Sequence, residues 1–188
     1  YGFSPAVQMT ITHAKSYSAT EANVLIIGET GVGKEVFAQS IHNNSRLAKG
    51  PFVAVNCAAL PAQLLESELF GYVSGAFTGA SKDGKAGLFE IAHTGTIFLD
   101  EIGEMDYINQ GRLLRILQEK SVMRLGSDRV LPVDVRIIAA TNKNLQRIVS
   151  ENKFREDLFY RLNVLHLKIP SLRERKKDIN HYVSQFLQ

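Results

Sequence analysis

The stretch VLIIGETGVGKEVFAQSIHN, Val24 to Asn43, decides the fold. Val24–Ile27 is a short, wholly apolar run, the pattern of a strand buried on both faces. Lys34–Asn43 places Val36, Phe37 and Ile41 on one side of a helix. Between them lies a loop that matches the phosphate-loop pattern G-x-x-x-x-G-K, in the strand–loop–helix context the pattern requires. Its glycines let the backbone curl so that amides point inward at phosphate oxygens. The following helix offers its first N–H groups to the same charge. Lys34 adds a point charge for β- and γ-phosphates. Gly28, Glu29, Thr30, Gly31, Val32, Gly33, Lys34 and Glu35 are therefore the candidate nucleotide-binding residues. Glu35 stands where the usual loop has Ser or Thr for Mg²⁺. A carboxylate can ligate the metal directly or through water, but it also adds negative charge beside the phosphates.

Outward from this unit, strand-like runs alternate with helical ones, which implies an α/β domain with a mainly parallel sheet. Phe52–Val55, Thr96–Leu99, Val135–Ala140 and Val164–Ile169 join Val24–Ile27 to make five strands. Helices are expected near Gln63–Leu69, Asn109–Glu119 and Asn144–Glu151. Two regions break the alternation. Gly71–Gly87 is rich in Gly, Ser, Thr and Lys, too long for an ordinary connection, and long structured loops are often functional. Val122–Val133 carries Gly126, Ser127 and Asp128 between short β-like runs, a hairpin signal. Pro170 closes the last strand. The charge run Arg173–Lys177 reads as a solvated linker or helix start. Asp178–Leu187 begins an amphipathic helix.

At 188 residues, 45% hydrophobic and 22% charged, the composition is that of a globular domain, not a disordered, collagen-like or disulfide-rich chain. The longest apolar runs are too short to span a bilayer, and no signal-peptide pattern opens the chain. The lone Cys57 fits a reducing cytosol and, among Val53, Val55, Ala58 and Ala59, reads as a small buried hydrophobe. The histidines are scattered without metal-ligand spacing. A net charge of +3 is too weak by itself to argue nucleic-acid binding.

Three further strings carry chemistry. Thr96–Leu99 ends in Asp100 and Glu101. At a strand tip beside a phosphate loop, Asp100 can hold Mg²⁺ through its water shell and Glu101 can polarise an attacking water. Ala139 and Ala140 lead to Thr141 and Asn142, where strand ends line the crevice of an open α/β sheet. Asn142 either positions water or phosphate there or caps the next helix. Arg155 and Arg161, in FREDLFYR at 154–161, read as salt-bridging surface residues on their own. In a nucleotide hydrolase, an arginine can instead stabilise charge on the γ-phosphate. Phe77 sits among small residues. It either tucks into the core or is offered to a partner.

Together these motifs resemble the central AAA+ ATPase domain of bacterial enhancer-binding proteins, the activators of sigma-54 RNA polymerase. The resemblance runs from Phe3, Ser4 and Pro5 to the LRER string at 172–175. Its most specific element is GAFTGA at 75–80, following ESELFG at 66–71. The resemblance implies an AAA+ P-loop NTPase over residues 1–170 and a linker with the first helix of a lid over 171–188. It implies ATP and Mg²⁺ as ligands, with Glu35 a family variant, Gly28–Glu35 as Walker A and Asp100 with Glu101 as Walker B. Asp100 and Glu35 are the implied metal residues. Asn56 matches the residue that holds the Walker B glutamate in an inactive rotamer, and Thr141 and Asn142 look like sensor I. Arg161, assisted by Arg155, matches the finger that reaches a neighbouring subunit. Gly71–Gly87 looks like a first surface insertion that brings Gly75, Ala76, Phe77, Thr78, Gly79 and Ala80 to sigma-54. Val122–Val133 looks like a second insertion that moves the first. A cytoplasmic, ring-forming ATPase, as a hexamer, is implied, with no membrane and with enhancer DNA bound only through a domain outside this chain. The alternatives are another AAA+ remodelling machine, or a nucleotide-binding interaction module without turnover.

Overall fold

In the computed structural model, which describes residues 4–179 and Val183, five parallel strands form one sheet. The elements in chain order are α1 (Pro5–Ser18), β1 (Val24–Ile27), α2 (Lys34–Asn43), β2 (Phe52–Asn56), α3 (Ala62–Phe70), β3 (Gly71–Tyr72), β4 (Lys85–Ala86) and α4 (Leu88–Ile91). There follow β5 (Gly95–Asp100), α5 (Tyr107–Glu119), β6 (Ser121–Met123), β7 (Val130–Pro132), β8 (Val135–Thr141), α6 (Leu145–Ser150), α7 (Glu156–Leu162) and β9 (Leu165–Lys168). A 3-10 segment, Leu172–Asp178, follows β9. The main sheet has the order β2-β5-β8-β1-β9, so the strand of the phosphate loop lies inside the sheet.

Both faces of the sheet are covered, which is why its inner strands are largely apolar; Arg136 of β8 is buried and donates to the Tyr17 and Ala22 carbonyls. Alternate side chains divide between two cores. Leu25, Ile97, Leu99, Ile137 and Ala139 face α3, α5, α6 and α7, where Leu65, Leu113, Leu145 and Leu158 meet them. Val24, Ile26, Phe98, Ile138 and Ala140 face the other way, onto Phe37 and Ile41 of α2 and Ala14 of α1. All seven residues of β8 are buried.

Local chemistry sets the ends of the elements. Ser4 caps α1 and Pro5 occupies its first turn, where a missing N–H costs nothing. Asp106 accepts from the amides of Ile108 and Asn109 to start α5. Helices α1, α4 and α7 were not legible as such. The apolar pattern of α1 is weak, with Val7, Thr10, Ala14 and Ser18 as its buried positions. Helices α4 and α7 span four and seven residues, too short for a 3.6-residue period to declare itself.

The two irregular regions form hairpins that touch. In the first, β3 pairs antiparallel with β4, and 73–84 projects from it. In the second, β6 pairs antiparallel with β7. The Val73 amide donates to the Leu125 carbonyl at 3.1 Å, and the Leu125 amide to the Gly71 carbonyl at 2.9 Å. A Cβ on Gly126 would come within 3.0 Å of the Ala76 Cβ, so the tip of the second hairpin closes directly on the first. Arg124 anchors this contact through a paired hydrogen bond to Glu90 of α4, at 2.8 and 2.6 Å.

The charge run Arg173–Lys177 lies within the 3-10 segment, which fits the helix-start alternative, and it is exposed except at Arg175. Arg175 is 7% exposed and Asp178 is fully buried. Arg173 pairs with Glu29, and the Arg175 guanidinium donates to the Val32 carbonyl at 3.2 Å. Most of the amphipathic helix expected at Asp178–Leu187 lies outside the described residues. No helix among the described residues is long and apolar enough to cross a membrane.

Candidate functional site

The phosphate loop leaves the sheet at the end of β1. Ile27 is in register there with Thr141 of β8 and Lys168 of β9. The Gly28 amide donates to the Thr141 carbonyl at 3.2 Å, which ties the loop to the Thr141–Asn142 strand end. One strand further, β5 delivers Asp100 and Glu101. Thus β8 separates the phosphate-loop strand from the acidic strand.

Gly31 and Gly33 have φ of +81° and +97°, and a Cβ on either would meet no atom within 4 Å. Open space therefore lies beside the loop at both glycines, and the first turn of α2, whose N–H groups lack intrahelical partners, follows directly. A loop and helix start of this kind form a cradle that suits a polyphosphate. Glycine is required at Gly33 because an L side chain is strained at this φ immediately before Lys34.

Lys34 is buried at 6% exposure, and its ammonium donates to the Gly28 carbonyl (3.3 Å) and to Glu101 Oε1 (2.9 Å). Glu101 adopts left-handed backbone angles, φ 49° and ψ 46°. Such angles cost a non-glycine residue about 1–2 kcal/mol. Its other oxygen accepts from the Asn142 amide at 3.2 Å, and the Asn142 side chain donates to Thr30 Oγ1 at 3.1 Å. Lys34, Glu101, Asn142 and Thr30 thus form a chain of contacts that links both ends of the phosphate loop to the acidic strand end. Asn144, not Asn142, caps α6, so Asn142 is available to this network. Thr141 is fully buried and accepts from the Lys143 amide.

Burial pushes the Asp100 carboxyl above its ordinary range, with the nearby Glu101 charge adding to the rise. The Glu101 amide, at 3.0 Å, and Lys34 pull the other way. The same acids act on Cys57. Burial first, then Asp100 and Glu101, push its thiol up to about 12. It is an inert core residue, as its neighbours suggested.

The donor set suits Mg²⁺ better than a tighter-bound metal. Asp100 offers one carboxylate, and Mg²⁺ commonly takes one or two protein carboxylates plus phosphate oxygens and water. Glu35 is exposed and, among the described residues, shares no hydrogen bond with Asp100. Asn56 is in register with Asp100. Its side-chain oxygen accepts from the Ala58 amide at 2.8 Å, and the contacts on Glu101 come from Lys34 and Asn142 instead.

Two expected site residues lie apart from this cluster. Arg155 pairs with Asp157 and stacks over the Tyr107 ring, 5.4 Å from its centroid. It lines a cavity of about 690 Å³ between α5 and Met123–Ser127. Arg161 is exposed on α7, and its carbonyl accepts from the Asn23 side chain. The GAFTGA loop is exposed at Gly75, Phe77, Thr78 and Gly79 and half-buried at Ala76 and Ala80. Phe77 is 43% exposed and meets Tyr72 edge-on at 5.0 Å, so it is no core residue. Sequence reasoning missed the contacts of Arg173 and Arg175 with the phosphate loop. The available signal was the capping box from Ser171 to Glu174, which marks an ordered turn and not a loose linker.

A phosphate loop inside a five-stranded parallel sheet, with acids two strands away, defines an AAA+ P-loop NTPase domain. The model of the Sigma-54 interaction domain family matches residues 1–168. The chain therefore belongs to that family, whose homologues are sigma-54-dependent transcription regulators. It is 56% identical over 185 residues to the regulatory protein AtoC of Escherichia coli K12, covering 98% of this chain and 40% of AtoC. The solved structure of NtrX from Brucella abortus in complex with ATP superposes with a TM-score of 0.90 at 37% identity. That match covers 99% of this chain and 42% of NtrX. The chain thus spans about two fifths of the length of these relatives. A P-loop NTPase domain of a sigma-54 activator from E. coli, 17% identical with a TM-score of 0.61, shares the fold.

Proposed function

We propose that this chain binds ATP with Mg²⁺ between subunits of a ring, hydrolyses it to ADP and phosphate, and uses the 75–80 loop to act on sigma-54 RNA polymerase in the bacterial cytoplasm. The observation that carries the proposal is the 2.9 Å contact between Lys34 and Glu101 at the mouth of the cradle. A phosphate-binding cation and a candidate base share one point, which a phosphate must enter. In this proposal phosphate takes Lys34 and frees Glu101, which then orients water and accepts its proton. Loop amides and the first turn of α2 hold the phosphate oxygens. Bound Mg²⁺ supplies charge neutralisation, and Asp100 would hold it, with Glu35 able to contribute through water. Asn142 keeps Glu101 and Thr30 in register across the cradle. Such chemistry rests on positioning and charge stabilisation.

The placement of Arg155 and Arg161 away from their own cradle supports a role at a neighbour's site, and with it a ring, as a hexamer. A switch at Asn56 would require it to leave the Ala58 amide for Glu101. The two touching hairpins offer a route from nucleotide to Phe77. The test is phosphate release and ADP titration on wild type and Lys34→Ala. Loss of one charge-assisted contact of about 1.5–3 kcal/mol should weaken ADP at least tenfold. Unchanged affinity and unchanged turnover would refute the site.

A further inference from the structure

The phosphate loop is gripped from outside the nucleotide site. The strap Leu172–Asp178 follows β9 and runs past the loop. Arg173 binds Glu29, and Arg175 donates to the Val32 carbonyl at 3.2 Å. Arg175 leaves helical geometry inside the strap, at φ −126° and ψ 47°. Three residues on, the fully buried Asp178 carboxylate receives two hydrogen bonds from one residue. The Ser4 amide donates to Oδ1 at 2.8 Å and the Ser4 hydroxyl to Oδ2 at 2.9 Å. Ser4 also caps α1. Residues 174 positions apart thus meet where α1 begins.

A cavity of about 400 Å³, lined by Ser4–Ala6 and Arg173–Lys177, lies between the strap and the start of α1. The directional bonds to Ser4 and Val32 help to set the strap's position. Charge-assisted bonds to a buried carboxylate are strong and specific in geometry. A strap fixed at Asp178 holds Arg175 against Val32, and Val32 sits between the two left-handed glycines that shape the cradle.

We infer that Ser4 and Asp178 form a clasp that positions the phosphate loop through Arg175, so that the start of α1 tunes nucleotide affinity. This rests on the nucleotide reading of the site. Asp178, Ser4 and Arg175 are positioning residues, because they act through the strap's contact with Val32 and not on the phosphates. Any element that pulls on the start of α1 would loosen or tighten the cradle by this route.

The test uses the 188-residue chain with Ser4→Ala, Asp178→Asn, Arg175→Lys and the Ser4→Ala/Arg175→Lys double variant. Melting temperature is measured for each. Dissociation constants for ADP and for pyrophosphate are measured well below each melting point. Ser4→Ala removes the hydroxyl's bond to Asp178 and its cap on the Val7 amide but keeps the backbone bond to Asp178, so it is the milder change if Asp178→Asn does not fold. Each single variant should weaken ADP about three- to tenfold and weaken pyrophosphate equally, because the effect falls on the phosphate cradle. The double variant should be no weaker than its weaker parent, since both changes break one route. Lower melting temperatures with both affinities within twofold of wild type would make the clasp purely structural and overturn the inference. So would loss of ADP affinity with pyrophosphate unchanged, or full additivity in the double variant. Wild type that binds neither ligand would overturn the nucleotide reading itself. Loss of binding in Lys34→Ala but not in the clasp variants would overturn only the clasp.

Discussion

Replacing Glu101 with Gln should move stability and nucleotide affinity in opposite directions. In the ligand-free protein, Glu101 Oε1 lies 2.9 Å from the Lys34 ammonium, with side-chain exposures of 14% and 6%. At this distance the Coulomb attraction is about 6 kcal/mol at an effective dielectric of 20. Desolvation offsets much of it, and a hydrogen bond between charged groups keeps a net of about 1.5–3 kcal/mol. Gln keeps the shape and still accepts from the Asn142 amide, but leaves the buried ammonium without its counter-charge. Ligand-free protein should therefore melt about 3–12 °C lower. ADP, however, no longer has to break an ion pair to reach Lys34. Its affinity should rise about ten- to a hundredfold. Titration calorimetry with ADP, beside melting curves with and without it, reads both quantities. An unchanged melting point with unchanged or weaker ADP binding would refute the competition between Glu101 and phosphate.

Asp100→Asn should raise the melting temperature at pH 7, because burial holds the Asp100 carboxyl above its unfolded value. The charged form opposes folding above the folded value, so the gain should shrink as pH falls through it; a gain independent of pH would contradict this. Phe77→Ala should cost under about 1 kcal/mol, since Phe77 is 43% exposed and meets Tyr72 by one edge. A fall in melting temperature of ten degrees would make it a core residue. Arg124→Ala should destabilise by about 1–2 kcal/mol. Burial alone raises the Glu90 carboxyl, and Arg124 and the Gly87 amide more than reverse this, leaving it below the ordinary range. The wild-type advantage should therefore persist above pH 5 and fade as pH drops through the folded value, and equal acid sensitivity in both proteins would refute the pairing.

The sheet was legible because most of its strands are short, mainly apolar runs with a polar or glycine boundary, and Val24–Ile27 matches the structure end to end; β9, LHLK, alternates instead. The phosphate loop, Asp100 and Glu101 were legible because their chemistry is compact in sequence. Long-range pairings left no such trace. Nothing in the string around Glu101 says that its carboxylate lies on Lys34, 67 residues away. Nothing around Asn142 says that its side chain reaches Thr30. Charge patterning left Arg173–Lys177 as a linker or helix start and gave no sign that Arg175 is buried, because an arginine counts as a solvent residue until tertiary partners bury it. The weak stripe of α1 hid a helix whose start is fixed by Ser4, Pro5 and Asp178.

The coupling of nucleotide to the exposed loop is tested most directly by capture of sigma-54 by a full-length protein carrying this domain. Native gels would compare no nucleotide, ADP, and ADP with aluminium fluoride, for wild type and Phe77→Ala, with ADP affinity measured in parallel. The account predicts capture by wild type only with the fluoride complex, and loss of capture in Phe77→Ala with ADP affinity within twofold of wild type. Capture that ignores nucleotide, or that survives in Phe77→Ala at wild-type strength, would contradict it.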